Sequence, residues 1–64
     1  MKRRKLLRHL LSHGCVVLRE GKAHTIVVNL ENGRQSAVPR HPEVDANLAR
    51  GICKQLGVPL PTGS

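Results

Sequence analysis

Leucines near the start of the chain follow the spacing of an amphipathic helix. Four of them recur at i, i+1, i+4 and i+5, on one stripe of a 3.6-residue period. They are Leu6, Leu7, Leu10 and Leu11. Gly14 follows the stripe, and glycine readily takes the positive φ that ends a helix. We therefore expect a first helix over about residues 3–13.

Three short segments rich in β-branched residues follow, and each has the length of one strand. They span residues 15–19, 24–30 and 34–38. Asn32-Gly33 lies between the second and third segments and is a strong hairpin signal, because both residues tolerate the positive φ of a type I′ turn. Pro39 has no N–H to donate to a ladder, so the third strand is expected to end there.

A two-residue loop at Asn32-Gly33 fixes the pairing of the second and third strands, because opposed residue numbers then sum to 65. His24 faces His41 at the open end of this hairpin. The other opposed pairs are Glu31 with Arg34, Val28 with Ala37, Val27 with Val38, and Ile26 with Pro39. Opposed side chains project to the same side of a sheet, so this register brings two imidazoles close together.

A second helix is predicted over about residues 47–56. Asp45 or Asn47 is able to cap it, and Gly57 is expected to end it. The order is thus helix, three antiparallel strands, helix, an α+β arrangement in which both helices bury their apolar faces on one side of the sheet. The predicted core consists of Leu6, Leu10, Leu18, Ile26, Val28, Leu48, Ile52 and Leu56. We expect residues 1–58 to form one domain and residues 59–64 to form a disordered tail.

The net charge of the chain indicates which class of partner it binds. The 64 residues carry eleven Lys and Arg against four Asp and Glu, a net charge of +7, and most of the bases lie in the first half. This balance points to a polyanionic partner such as RNA. The chain has no aromatic residue, which excludes RNA binding by base stacking on Phe, Tyr or Trp. The residues expected to contact phosphates are Arg3, Arg4, Lys5, Arg8 and Lys22.

Several chemistries are excluded by what the sequence lacks. Two cysteines without a CxxC pair make neither a disulfide framework nor a zinc site. No carboxylate pair suggests a two-metal site, and no glycine-rich phosphate loop is present, so we expect no metal and no cofactor. The sequence predicts neither a membrane span nor a signal peptide, and we expect a cytoplasmic protein.

Histidine remains as the side chain for chemistry at neutral pH. Cleavage of RNA without a metal needs groups that take a proton from a ribose 2′-hydroxyl and protonate the leaving oxygen. His24 opens a strand beside a turn, but spacing alone also fits a structural histidine at a strand edge. A non-catalytic RNA-binding module or a ribosome-associated basic protein therefore remains an alternative to an enzyme.

Several short motifs in order resemble the HicA toxin family over about residues 3–58. They are Gly14 after the first helix, Gly21 with His24, Val38-Pro39-Arg40-His41, and Lys54-Gln55-Leu56-Gly57. The resemblance implies an αβββα fold like that of double-stranded-RNA-binding domains. It also implies an mRNA-cleaving toxin of a toxin–antitoxin pair, with His24 as the catalytic residue and a HicB-type antitoxin that covers it. The predicted hairpin register, rather than the resemblance, makes His41 an expected accessory proton-transfer group. Ala23 departs from the small polar residue common before this histidine.

Overall fold

The computed structural model describes residues 1–61 and contains two helices and one sheet. The elements are α1 (Arg3–Ser12), β1 (Cys15–Glu20), β2 (His24–Asn29), β3 (Gln35–Pro39) and α2 (Ala46–Leu56). The strands form an antiparallel sheet in the order β1-β2-β3, and both helices share one core with its inner face. The predicted α+β, αβββα fold is confirmed, with each element boundary within one residue of its expected place. Residues 62–64 of the predicted tail lie outside the described residues.

Both ends of α2 are fixed by local hydrogen bonds. The Asp45 carboxylate accepts from the main-chain N–H groups of Asn47 at 3.0 Å and Leu48 at 3.4 Å, so Asp45 is the cap of the two that the sequence offered. Gly57 ends the helix with a φ of +72°, in the left-handed region that favours glycine. These two caps hold a helix that contains Gly51, a weak helix former, in its middle.

β1 contains a bulge at Leu18. Val17 pairs with Val27, whereas Arg19 pairs with Ile26, so Leu18 is the extra residue on β1. The Leu18 side chain is 51% exposed. The prediction that Leu18 belongs to the core is therefore wrong, because the bulge takes it out of the alternation that a regular strand would follow.

The hairpin between β2 and β3 has a longer loop than the sequence predicted. Asn29 donates its N–H to the carbonyl of Arg34 at 2.8 Å, so residues 30–33 form a four-residue loop. Paired residue numbers sum to 63, and His24 pairs with Pro39. The predicted register, including the opposition of His24 and His41, is wrong by two residues because Asn32-Gly33 is the second half of the loop rather than the whole of it. The remaining predicted pairs, Glu31 with Arg34, Val28 with Ala37, Val27 with Val38 and Ile26 with Pro39, are wrong for the same reason.

The core lies between the helices and the inner face of the sheet. Its buried apolar residues are Leu6, Leu10, Cys15, Val27, Val38, Val44, Ala49, Ile52, Cys53 and Leu56. Four predicted core residues are among them: Leu6, Leu10, Ile52 and Leu56. Leu48 is 45% exposed, because α2 turns Ala49 and Cys53 inward and leaves Leu48 at the margin.

β2 buries the opposite face from the predicted one. Thr25, Val27 and Asn29 face the helices, whereas Ile26 and Val28 lie half-buried on the open face. The prediction that Ile26 and Val28 belong to the core is therefore wrong. That prediction used hydrophobicity alone. Thr25 and Asn29 are buried instead because each has a tertiary hydrogen-bond partner.

Three buried polar residues on the inner face are all hydrogen-bonded. Thr25 Oγ1 donates to the Glu20 carboxylate at 2.6 Å, and Ser36 Oγ donates to Gln55 Oε1 at 2.6 Å. Asn29 Nδ2 donates to the carbonyl of Leu56 at 2.8 Å. Within residues 1–61, every buried side-chain nitrogen or oxygen has a partner, so polarity inside this small core carries no desolvation penalty from an unpaired group.

The two cysteines are free thiols inside the core. Burial raises the pKa of Cys15, and the neighbouring Glu31 carboxylate raises it further. Burial likewise raises the pKa of Cys53, with a smaller contribution from Cys15. Both side chains therefore stay protonated at neutral pH and act as small apolar residues.

Candidate functional site

His24 is the first residue of β2 and lies at the end of the open sheet face. A turn at residues 22–23 precedes it, and the N–H of Gly21 donates to the His24 carbonyl at 2.8 Å. The His24 side chain is exposed, and its imidazole makes no hydrogen bond within residues 1–61. An accessible ring on a main chain fixed by a turn and a ladder is a suitable arrangement for proton transfer to a bound ligand.

The alternation of the strands places a mixed surface around His24. Ile26 lies next on the same face of β2, and Pro39 is the paired residue on β3. Arg19 of β1 pairs with Ile26 and so lies diagonally across from His24 on this face, where it is exposed. Sequence reasoning did not include Arg19 among the candidate residues, because the bulge at Leu18 decides which face it occupies.

Arg3 ties the first turn of α1 to the strand ends that carry the site. Its Nε donates to the carbonyl of Pro39 at 3.0 Å, and its Nη2 donates to Thr25 Oγ1 at 2.5 Å. Its main-chain N–H bonds the carbonyl of Pro42 at 2.8 Å. Thr25 follows His24 directly, and Pro39 is paired with His24, so Arg3 holds both neighbours of the histidine from the helix side of the sheet.

Arg40 extends this set of contacts to the turn before His24. Its Nη1 donates to the carbonyl of Gly21 at 3.0 Å and lies 3.4 Å from the Glu20 carboxylate. Its main-chain N–H bonds the carbonyl of Ala23 at 3.2 Å, which continues the β2–β3 ladder by one pair. Arg40 was not among the sequence candidates, although it lies in the Val38-Pro39-Arg40-His41 motif that carried the resemblance.

Four bases come together around a shallow pocket of about 380 Å³ at this end of the molecule. The pocket is lined by Lys2, Arg3, Arg4, Arg40 and Pro42. Of the predicted phosphate contacts it includes Arg3 and Arg4, and the exposed Lys22 lies in the turn that precedes His24. The turn, the start of α1 and the loop after β3 thus concentrate positive charge near one histidine.

The other two predicted phosphate contacts lie further along α1. Lys5 and Arg8 are exposed on the outward side of the helix, opposite the buried Leu6 and Leu10. Arg8 is one turn from Arg4, so the outward side of α1 carries a basic stripe that starts at the pocket. The structure therefore groups the predicted bases into a pocket and a stripe that share Arg4.

The remaining histidines have different environments from His24. His41 is exposed in the loop after β3, two residues beyond the one that pairs with His24, so direct opposition is not available to it. On α1, His9 Nε2 donates to the carbonyl of Pro59 at 2.6 Å, and directly after α1, His13 Nδ1 donates to the carbonyl of His9 at 3.0 Å. His9 and His13 are therefore engaged in contacts at the end of α1, and the accessory role of His41 stays a prediction.

The donor atoms of this region suit an anion better than a metal ion. Among residues 1–61, no three His, Cys, Asp or Glu side chains lie close enough together to hold a metal. The pocket instead presents guanidinium and ammonium groups, which bind phosphate. No helix within these residues combines the length and apolar character needed to cross a bilayer.

Comparison with known proteins gives one match. The family model described as HicA toxin of bacterial toxin–antitoxin matches residues 3–58 of the 64-residue chain. The matched stretch includes both helices, all three strands and every residue of the site described above except Lys2. No curated protein and no solved structure matches the chain.

Proposed function

Because the chain belongs to the HicA toxin family and is therefore the toxin of a toxin–antitoxin system, we propose that it cleaves mRNA as a metal-independent endoribonuclease with His24 as its catalytic residue. The observation that supports this most is the exposed His24 ring at the end of the sheet that also carries the basic pocket. A nuclease needs these two parts together: a proton-transfer group and positive charge to hold the phosphate.

In the proposed reaction, the ribose 2′-oxygen attacks the adjacent phosphorus atom. His24 acts as general base or general acid: it takes the 2′-hydroxyl proton or protonates the leaving 5′-oxygen. The bond from phosphorus to the 5′-oxygen breaks, and the upstream fragment ends in a 2′,3′-cyclic phosphate. Arg19 shares the open face with His24 and is a candidate to offset the charge that develops on the phosphate.

RNA binding is proposed to depend mainly on phosphate contacts from the bases at the His24 end. Arg4, Lys22 and the α1 residues Lys5 and Arg8 are exposed, so they can reach a backbone without rearrangement. Arg3 has two guanidinium nitrogens engaged within the protein, and we propose that it mainly positions the site. Affinity should fall steeply as salt rises and should depend little on RNA sequence.

The partner of this toxin is proposed to be a HicB-type antitoxin that covers His24. The net charge of +7 favours an acidic partner surface, and an acidic surface near the pocket would compete with RNA for the same bases. Masking of His24 would then block both binding and proton transfer.

Induced expression tests the proposal, with growth and RNA integrity measured together. The wild type should arrest growth and fragment mRNA, whereas H24A should do neither and should keep its fold and most of its RNA affinity. H9A is the matched control, since His9 lies on α1 and bonds Pro59; it should remain toxic. Intact RNA with the wild type, together with salt-dependent binding, would instead favour a non-catalytic RNA-binding module.

A further inference from the structure

β3 is an edge strand, and part of its main chain points away from the sheet. The Asn29–Arg34 and Ala23–Arg40 bonds fix the alternation, so Ser36 and Val38 bond inward to β2. Gln35, Ala37 and Pro39 therefore direct their polar main-chain groups outward. The carbonyl of Pro39 accepts a hydrogen bond from Arg3. The main-chain N–H and C=O groups of Gln35 and of Ala37 are therefore the open part of this edge.

An open groove of about 560 Å³ runs beside this edge, between β3 and α2. Gln35 and Ala37 line one side, while the exposed Leu48 and Gly51 line the other. A Cβ placed on Gly51 would meet nothing within 4 Å, so no other part of residues 1–61 fills the space above it. Open main-chain groups of an edge strand beside an apolar groove fit an extended peptide. Such a peptide adds a strand to the edge and inserts one apolar side chain into the groove.

Charge decides between the possible occupants of this groove. Arg34 precedes Gln35 at one end of β3, and the exposed Lys54 lies one turn from Gly51 on α2. A second copy of this chain would bring the same bases and another +7 to the interface, which opposes self-association. An acidic extended segment is complementary to these bases.

We propose that an extended acidic segment of the antitoxin adds as a fourth strand on β3, in the groove over Gly51. The inference rests on the proposed function for the identity of the partner and adds a second contact to it, on the β3 edge rather than over His24. A toxin bound there would be held through main-chain hydrogen bonds that a substitution of His24 leaves unchanged.

Two substitutions test the groove in the H24A background, in which the toxin is inactive and can be purified. A37P removes an outward N–H that β2 does not use, and G51L fills the groove. Each should weaken binding of the purified cognate antitoxin about tenfold or more. The controls are A37S, which keeps the N–H, and N47L, which adds a leucine to α2 outside the groove lining; both should bind within about twofold of the parent.

Amide hydrogen exchange on the parent protein gives a second measurement that does not depend on any variant folding. The Gln35 and Ala37 amides should exchange readily in the free toxin and become protected in the complex. Unchanged antitoxin affinity in A37P and G51L, or unprotected amides in the complex, overturns the groove proposal while leaving the antitoxin partnership intact. A toxin dimer in which these amides become protected without antitoxin also overturns it. Failure of the antitoxin to bind any form overturns the partnership as well.

Discussion

The two ends of the sheet are held to the helices by different chemistry. At the end that carries His24, the link to α1 is the long charged side chain of Arg3, which reaches Pro39 and Thr25, while Arg40 joins the loop after β3 to the β1–β2 turn. At the far end, the links are short neutral amides: Asn29 Nδ2 and Asn32 Nδ2 both donate to the carbonyl of Leu56, at 2.8 and 3.0 Å.

Because of this difference, the far end mainly stabilises the fold, whereas the His24 end also carries the candidate site. At the far end, buried or partly buried side-chain amides bind a carbonyl in the last turn of α2. Because these amides are neutral, they expose little charge. The His24 end keeps its bases at the surface, where some hold the main chain in place and others remain accessible to an anion. We therefore expect substitutions at the far end to act on stability, and those at the His24 end to act on stability and activity to different degrees.

The largest effect on stability is expected at the far end. Asn29 is 2% exposed, bonds Leu56 through Nδ2 and accepts the N–H of Glu31 at 2.9 Å. N29A should lower the free energy of unfolding by about 3 kcal/mol, because it opens a cavity and leaves the Glu31 amide without its partner. Urea unfolding measures this. N32A removes the exposed partner of the same carbonyl and should cost about 1 kcal/mol; equal losses would contradict the account of the buried amide.

A smaller loss of stability is expected from Arg3 at the His24 end. R3M removes two hydrogen bonds from a charged donor but keeps much of the aliphatic stem, and should cost about 2 kcal/mol in urea unfolding. The matched control is R4M on the exposed side of α1, which should change stability by less than about 0.5 kcal/mol and weaken RNA binding more than R3M does. The reverse order would show that Arg3 is a ligand contact rather than a positioning residue.

The turn before His24 offers a test of positioning. A Cβ on Gly21 would lie 2.9 Å from the His24 carbonyl oxygen, so G21A must shift the main chain that carries the ring. RNA cleavage should fall about tenfold, because small displacements of a catalytic group are costly. The control is G51A, where the added Cβ meets nothing and cleavage should stay unchanged. Unaltered cleavage by G21A would separate the turn from catalysis.

The smallest effect concerns pH and the core shared by both ends. Burial raises the pKa values of Cys15 and Cys53 above the ordinary 9.0, so the folded state holds these protons at a pH where the unfolded state releases them. The free energy of unfolding should therefore be unaffected by the thiols below about pH 8 and fall as pH rises above about 9. A C15V/C53V variant measured over the same range should show a shallower fall; an identical slope would contradict the assignment.

The sequence predicted the order, the bounds and the antiparallel pairing of the elements, because periodicity, glycine stops and hairpin residues are local signals. It did not predict the strand register, since the side chain of Asn32 bonds Leu56 and the loop includes Leu30 and Glu31 as well. The hydrophobic pattern also predicted the wrong face of β2 to be buried. Thr25 and Asn29 are buried only because Glu20 and Leu56 supply partners, and such tertiary contacts have no local signature.

The candidate site was predicted in part for the same reason. His24 and the basic start of α1 follow from the sequence and its family resemblance, and the structure places them at one end of the molecule. Arg40 and Arg19 were missed, because their places depend on the ladder beyond Pro39 and on the bulge at Leu18. A basic residue directly after the Val-Pro pair was the one signal that could have indicated Arg40.

Cleavage of a defined RNA by the purified chain in excess EDTA tests the central claim most directly, with the ends of the fragments identified. The account predicts that the wild type and H41A both cut under chelation and leave 2′,3′-cyclic phosphates or their hydrolysis products, with H41A at most reduced in rate. H24A should bind the RNA with nearly wild-type affinity and leave it intact. Cleavage by H24A at near the wild-type rate, or loss of wild-type cleavage on chelation, would contradict a metal-independent reaction centred on His24.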